Sequence, residues 1–154
     1  MRWNSPFFVL VLLLAGCLGS DRIGNLQSAE KFTLFSIDGR REPGTVKAIE
    51  TFQGYPVLGQ VEITDADVRR KLIAAFQDAH ARRPQSGAKC FWPRHGIRAV
   101  QSGRTIEYVI CFECSRFSEF VDGAIVRADL LSGRAQLTFD KPLTDAGIPI
   151  TPKK

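Results

Sequence analysis

The chain has 154 residues, enough for one ordinary domain and too few for two. Hydrophobic residues at 44% and charged residues at 24% exclude wholesale disorder, and 13 glycines and eight prolines come without a collagen period, a low-complexity tract or an internal repeat. The formal net charge is +5, unevenly placed along the chain.

The first 19 residues read MRWNSPFFVLVLLLAGCLG. Arg2 precedes an apolar run from Phe7 to Ala15. As a helix that run is too short to cross a hydrocarbon core of ~30 Å. A basic start, a short apolar core and small residues after it predict an export signal rather than an uncleaved anchor. Leu14-Ala15-Gly16-Cys17 resembles the lipobox of bacterial lipoproteins. The resemblance implies a signal peptide over 1–16, cleavage before Cys17, a diacylglycerol on the Cys17 thiol and an acylated amino group. Several acyl chains make a stable anchor where one is marginal. Leu18 stands where an aspartate favours the inner membrane in enteric-type bacteria, so the resemblance leans to the outer membrane, on the periplasmic face, if the cell has one. The competing reading is an ordinary signal with a chance cysteine. Residues 17–30 are polar without clear period and are read as the lipidated cysteine and a tether with an r.m.s. reach of roughly 20 Å. The folded domain is then 31–150.

Lys31 to Asp38 predicts a first strand that is apolar on both faces. A loop follows, then a short strand over Thr45 to Thr51 and a third over Val57 to Ile63. Thr64-Asp65-Ala66-Asp67 resembles a capping box with its hydroxyl at the N-cap. Val68, Leu72, Ala75, Phe76 and Ala79 then recur at helical spacing, and Pro84 blocks extension, so a helix is expected over Asp65 to about Ala81. Gly96 to Gln101, a Ser102-Gly103 turn and Arg104 to Glu113 predict a hairpin, with Ile106, Tyr108, Ile110 and Phe112 on one face and Val109 and Cys111 on the other. Phe117 to Val126 and Gly133 to Phe139 are read as two more strands, and Lys141 to Ala146 as a short helix closed by Gly147. The order predicts an α+β fold, a mostly antiparallel sheet with one long helix packed on a face.

With Cys17 acylated, Cys90, Cys111 and Cys114 remain, an odd number in an oxidising compartment. Three readings stay open. One is a structural disulfide from Cys90 to Cys111 or Cys114, leaving a buried thiol. The second is zinc held by Cys90, His95, Cys111 and Cys114, four donors of a kind that zinc takes tetrahedrally. Residues three apart on a regular strand point to opposite faces, so Cys111 and Cys114 converge only if the strand ends or bulges at Glu113. The third is a reactive dithiol, weakened because the C-x-x-C follows a strand instead of opening a helix and carries a carboxylate between the thiols. His95 alone reads as a turn histidine. There is no serine–histidine–aspartate spacing, nucleophile elbow or glycine-rich phosphate loop, so no catalytic residue is assigned and the chain is not read as an enzyme.

The segments Cys90-Phe-Trp-Pro-Arg-His95-Gly-Ile-Arg98 and Ile110-Cys-Phe-Glu-Cys114 are similar to an uncharacterised family of exported bacterial proteins with a CFxPRHxIR…CFEC pattern. The similarity covers roughly 54–147 and implies no activity. Between Arg69 and Arg104 nine basic residues face one acid, Asp78. Arg69, Arg70, Arg82, Arg83, Arg94 and Arg98 are the candidates for a basic face that meets anionic lipid or glycan within a Debye length of ~10 Å. The alternative is a solvated helix and loop. Export and the lack of an aromatic-basic signature argue against nucleic acid. The reading is thus a lipid-anchored envelope protein acting as a small binding or structural module without a cofactor, with zinc binding and then thiol–disulfide exchange as alternatives.

Overall fold

Asp122-Gly123 turns the chain between two strands that the sequence reads as one. Both residues have positive φ, 51° and 82°, the backbone of a two-residue hairpin turn whose twist matches its strands. The same geometry at Ser102-Gly103, 50° and 73°, fulfils the turn expected there. The computed structural model describes residues 22–40 and 50–152. The signal, the lipobox and Cys17 lie outside the described residues, as does most of the strand expected over Thr45 to Thr51.

The strands are β1 (Lys31–Ile37), β2 (Thr51–Phe52), β3 (Tyr55–Glu62), β4 (His95–Gln101), β5 (Arg104–Cys111), β6 (Arg116–Val121) and β7 (Ala124–Leu130). They form one seven-stranded sheet in the order β2-β3-β1-β4-β5-β6-β7. Every pairing is antiparallel. Register carries one row of side chains across the sheet: Val61 faces Leu34, Leu34 faces Ile97, Ile97 faces Tyr108, and Tyr108 faces Glu119.

Both faces of β1 are buried, as its apolar residues require. Phe32 and Leu34 join the main core with Ile97, Tyr108, Ile110 and Phe117, against helices α1 (Arg22–Asn25), α2 (Ala66–Ala81) and α3 (Gln136–Asp145). Phe35 and Ile37 join a smaller core on the other face with Phe52, Tyr55 and Val109, and Phe91 packs against it. Gly96 is required there, because a Cβ would come within 2.6 Å of the Phe52 ring.

Helix α2 buries Leu72, Ile73, Phe76 and Ala79, the periodic stripe. Phe76 meets Tyr108, Phe117 and Phe139 edge-on with centroids 5.2, 5.3 and 6.2 Å apart. Its N-cap is Asp65, one residue beyond the expected Thr64; the carboxylate accepts from the Asp67 and Val68 backbone N–H groups at 2.7 and 3.0 Å.

Three expectations are corrected. The fold is α+β and antiparallel, but its core takes three helices rather than one. The segment read as a strand over Gly133 to Phe139 is a 3-10 turn, Gly133–Ala135, running into α3. Ala135, Phe139 and Leu143 are buried four residues apart, whereas Leu137, which strand alternation puts with Phe139, is 80% exposed. Within the segment read as a tether over 17–30, the described residues from Arg22 onward are packed rather than free. Arg22–Asn25 is helical, Leu26–Ser28 is a 3-10 turn, and Ile23 and Leu26 are buried three residues apart. Among the described residues no helix is long and apolar enough to cross a membrane.

Candidate functional site

The candidate cysteines and histidine gather where β5 ends. Strand β5 stops at Cys111, and residues 112–115 turn the chain into β6. The turn removes the strand constraint that would hold side chains three apart on opposite faces. Cys111 and Cys114 are joined as a disulfide with Cα atoms 5.2 Å apart. This corrects the pairing of Cys90 with either: Cys90 is a free, exposed thiol. The disulfide itself is buried, with Cys111 at 2% and Cys114 at 3% exposure.

The irregular segment between α2 and β4 is laid over this turn. Ala88 N–H donates to the Cys114 carbonyl at 3.0 Å. Trp92 N–H donates to Cys114 Sγ at 3.3 Å. Cys114 N–H in turn donates to Cys111 Sγ at 3.1 Å. Arg94, nearly buried, clamps the turn from beneath: its guanidinium pairs with Glu113 at 3.0 Å and donates to the Thr151 carbonyl at 3.0 Å.

His95 opens β4 and is 1% exposed, among the rings of Phe112 and Phe139. Its Nε2 lies 2.7 Å from Asp140 Oδ1 on α3. Burial lowers the imidazole pKa and outweighs the Asp140 carboxylate, which raises it. Burial raises Asp140, but the His95 hydrogen bond, with Gln136 and Arg94, brings its pKa below the usual carboxylate value. A neutral imidazole that donates from Nε2 to an ionised carboxylate satisfies both tendencies. The expected turn histidine is therefore a core residue with a dedicated partner.

No protein-family model, curated protein or solved structure matches the chain. The chemistry rests on the geometry alone. The proposed zinc donors do not fit a zinc site as placed: Cys111 and Cys114 are bonded to each other and His95 Nε2 is held by Asp140. Among the described residues no group of three or more histidine, cysteine, aspartate or glutamate side chains is placed to hold a metal ion.

The six basic candidates do not share a face. Arg69 stacks on Phe32 of the main core, 5.7 Å from its centroid, and donates to the Ala29 and Ile63 carbonyls. Arg98 lies on the opposite side of the sheet, over Phe35 and Phe52 at 5.1 and 5.3 Å, bonded to Glu107 at 2.7 Å. Arg94 is in the interior. Arg70 and Arg82 pair with Asp67 and Asp78 along α2, and Arg83 donates to the His80 carbonyl.

A second polar cluster escaped the sequence reading. Glu119 is 1% exposed on the helix side of β6, with Arg127 at 3.0 Å and Arg22 at 3.5 Å. It borders an open cleft of about 370 Å³ that Arg22, Ser102 and Arg104 also line. The buried Tyr108 hydroxyl faces it, and burial, then the Glu119 charge, pushes the phenol pKa up. Only alternation was available as a signal: Phe117, Glu119 and Val121 share one face of β6, and a carboxylate between two apolar residues invites a partner.

Proposed function

We propose that this chain is a lipid-anchored protein of the cell envelope, exported and held through acylated Cys17 on the periplasmic face, with the outer membrane favoured where there is one. It works there as a small binding or structural module. The reading rests on the Leu14-Ala15-Gly16-Cys17 segment, and the docking of residues 22–28 sets how close the domain would sit to that anchor. Ile23 and Leu26 are in the core, so the docked segment that starts at Arg22 lies only five residues from Cys17. Five residues of extended chain reach about 18 Å at most. An acylated Cys17 would hold the domain against the bilayer rather than let it roam, and would keep one orientation toward the headgroups. Of the basic candidates, Arg70 on α2 and Arg82 and Arg83 just past its end are exposed toward anionic lipid or glycan, the first two beside Asp67 and Asp78.

The buried disulfide supports a structural part for the C-x-x-C: it closes the turn onto which the α2–β4 segment is laid. Labelling cells with an alkynyl fatty acid tests the anchor. The native chain should incorporate label and fractionate with membranes, and Cys17→Ser should do neither. Label retained in Cys17→Ser, or none in the native chain, rejects it.

A further inference from the structure

Cys90 is the one free cysteine among the described residues, and its neighbours on both sides are bonded to the same disulfide residue. Two positions before it, Ala88 N–H holds the Cys114 carbonyl at 3.0 Å. Two positions after it, Trp92 N–H holds Cys114 Sγ at 3.3 Å. Gly87 is pressed so close that a Cβ there would come within 2.9 Å of the same carbonyl oxygen. Two residues of chain span about 7 Å, so Cys90 is tied by covalent reach to the neighbourhood of Cys114. Disulfides form when Cα atoms are about 4.4–6.8 Å apart. The strap therefore keeps the exposed Cys90 within a few residues' reach of the disulfide. The disulfide itself is buried, so thiols from solvent have no direct path to it.

We propose that Cys90 is the surface gate of a three-cysteine relay. Its thiolate attacks Cys114 Sγ. The Cys90–Cys114 bond forms, the Cys111–Cys114 bond breaks, and the electron pair leaves on Cys111. The Cys114 N–H, already 3.1 Å from Cys111 Sγ, faces the leaving thiolate, which then takes a proton from solvent in place of the one Cys90 gave up. This first step is an isomerisation and needs no oxidant or reductant. Its product places one sulfur of the disulfide at the surface. An external thiol then attacks Cys90 Sγ to give a mixed disulfide, and Cys114 leaves and is protonated. A second external thiol attacks the outer sulfur of the mixed disulfide and releases the Cys90 thiol. The two external thiols are oxidised to their disulfide, and the protein pair is reduced to two thiols. The ligand class is thus a thiol-bearing partner, small or protein-borne, met at Cys90. This inference goes beyond the envelope-module reading and does not depend on acylation of Cys17.

The test is the rate at which the full, folded chain loses its disulfide to excess reduced glutathione, read by acid quench, alkylation and mass. The native chain should be reduced at least about tenfold faster than Cys90→Ser, because the variant keeps the buried pair and loses the only gate. Equal rates in folded native and Cys90→Ser chains overturn the relay. A second variant approaches from the other side. Cys111→Ser leaves Cys90 and Cys114 as the two remaining thiols of the domain, and glutathione disulfide should link them in one non-reduced peptide pair. If instead both end as separate glutathione adducts, Cys90 does not reach Cys114 and the proposal fails.

Discussion

His95 Nε2 and Asp140 Oδ1 are 2.7 Å apart and join the first residue of β4 to the middle of α3. The contact is inside the protein, so it responds to pH through folding. The folded-state imidazole pKa lies below its ordinary value of about 6.5, mainly through burial. The unfolded chain therefore binds a proton at His95 more readily than the folded one. Stability from this group is complete above about pH 6.5 and falls as pH drops below it. Asp140, whose folded pKa is lowered, adds a second loss of the same sign at lower pH, below about 4. Urea unfolding midpoints should decline from pH 7 to pH 5 in the native chain, and the decline should be shallower in His95→Gln. A profile of equal slope in both would remove His95 as its source.

Gly96 should not tolerate a methyl group. Its Cβ would meet two Phe52 ring carbons at 2.6 and 2.8 Å, and that ring is fully buried between Phe35 and the Arg98 guanidinium. The ring has no free direction in which to yield. Gly96→Ala should cost roughly 1–3 kcal/mol by overpacking. Gly103→Ala probes a different cost, since nothing stands within 4 Å of that Cβ and only its φ of 73° resists. Equilibrium denaturation of both separates crowding from backbone strain, and the Gly96 variant should be rescued in part by Phe52→Leu.

What the sequence made legible follows from which interactions are local. Helix α2 was readable because its cap, its stripe and its stop lie within 20 residues. The faces of β5 were readable because alternation over Ile106, Tyr108, Ile110 and Phe112 needs no knowledge of the partner strands. The helix expected over Lys141 to Ala146 is the second half of α3, while its first half reads as a strand because Ala135, Leu137 and Phe139 alternate. What decides there is burial at four-residue spacing through Leu143, which only the packing against α2 reveals. Asp122-Gly123 carries a turn signal in the sequence itself, and that turn divides the strand expected over Phe117 to Val126 into β6 and β7. The site was half legible. Glu113 lies within the C-x-x-C, but the partners Asp140 and Thr151 come from distant segments with no pattern linking them to His95 and Arg94. Which cysteines pair depended on where β5 ends, a boundary that alternation does not mark.

The disulfide should contribute modestly. It closes a loop of only four residues, and loop-closure entropy assigns such a link about 2 kcal/mol, against about 3.5 for a link from Cys90 to Cys114 across 25 residues. Cys111→Ala with Cys114→Ala should therefore lower the unfolding free energy by about 2 kcal/mol and leave a folded domain. A loss near 4 kcal/mol or outright unfolding would mean that the turn depends on the link for more than chain entropy.

Leu26 discriminates a docked segment from a tether. It is fully buried, one of the main-core residues with Ile23, although it lies outside the stretch that reads as folded. If residues 22–28 were a spacer, Leu26→Ala would be silent, as surface changes usually lie within about 0.5 kcal/mol. In the packed arrangement it removes a buried side chain against a core that relaxes only in part, at a cost of about 2–5 kcal/mol. Gln27→Ala, on an exposed position of the same turn, is the matched control and should be near zero. Chemical denaturation of the two chains reads the difference directly. The same pair bears on function, because a segment released from the core would lengthen the reach from Cys17 from about 18 Å to about 40 Å of extended chain and free the domain from the membrane surface. Crosslinking from the domain to lipid headgroups should then weaken in Leu26→Ala and persist in Gln27→Ala.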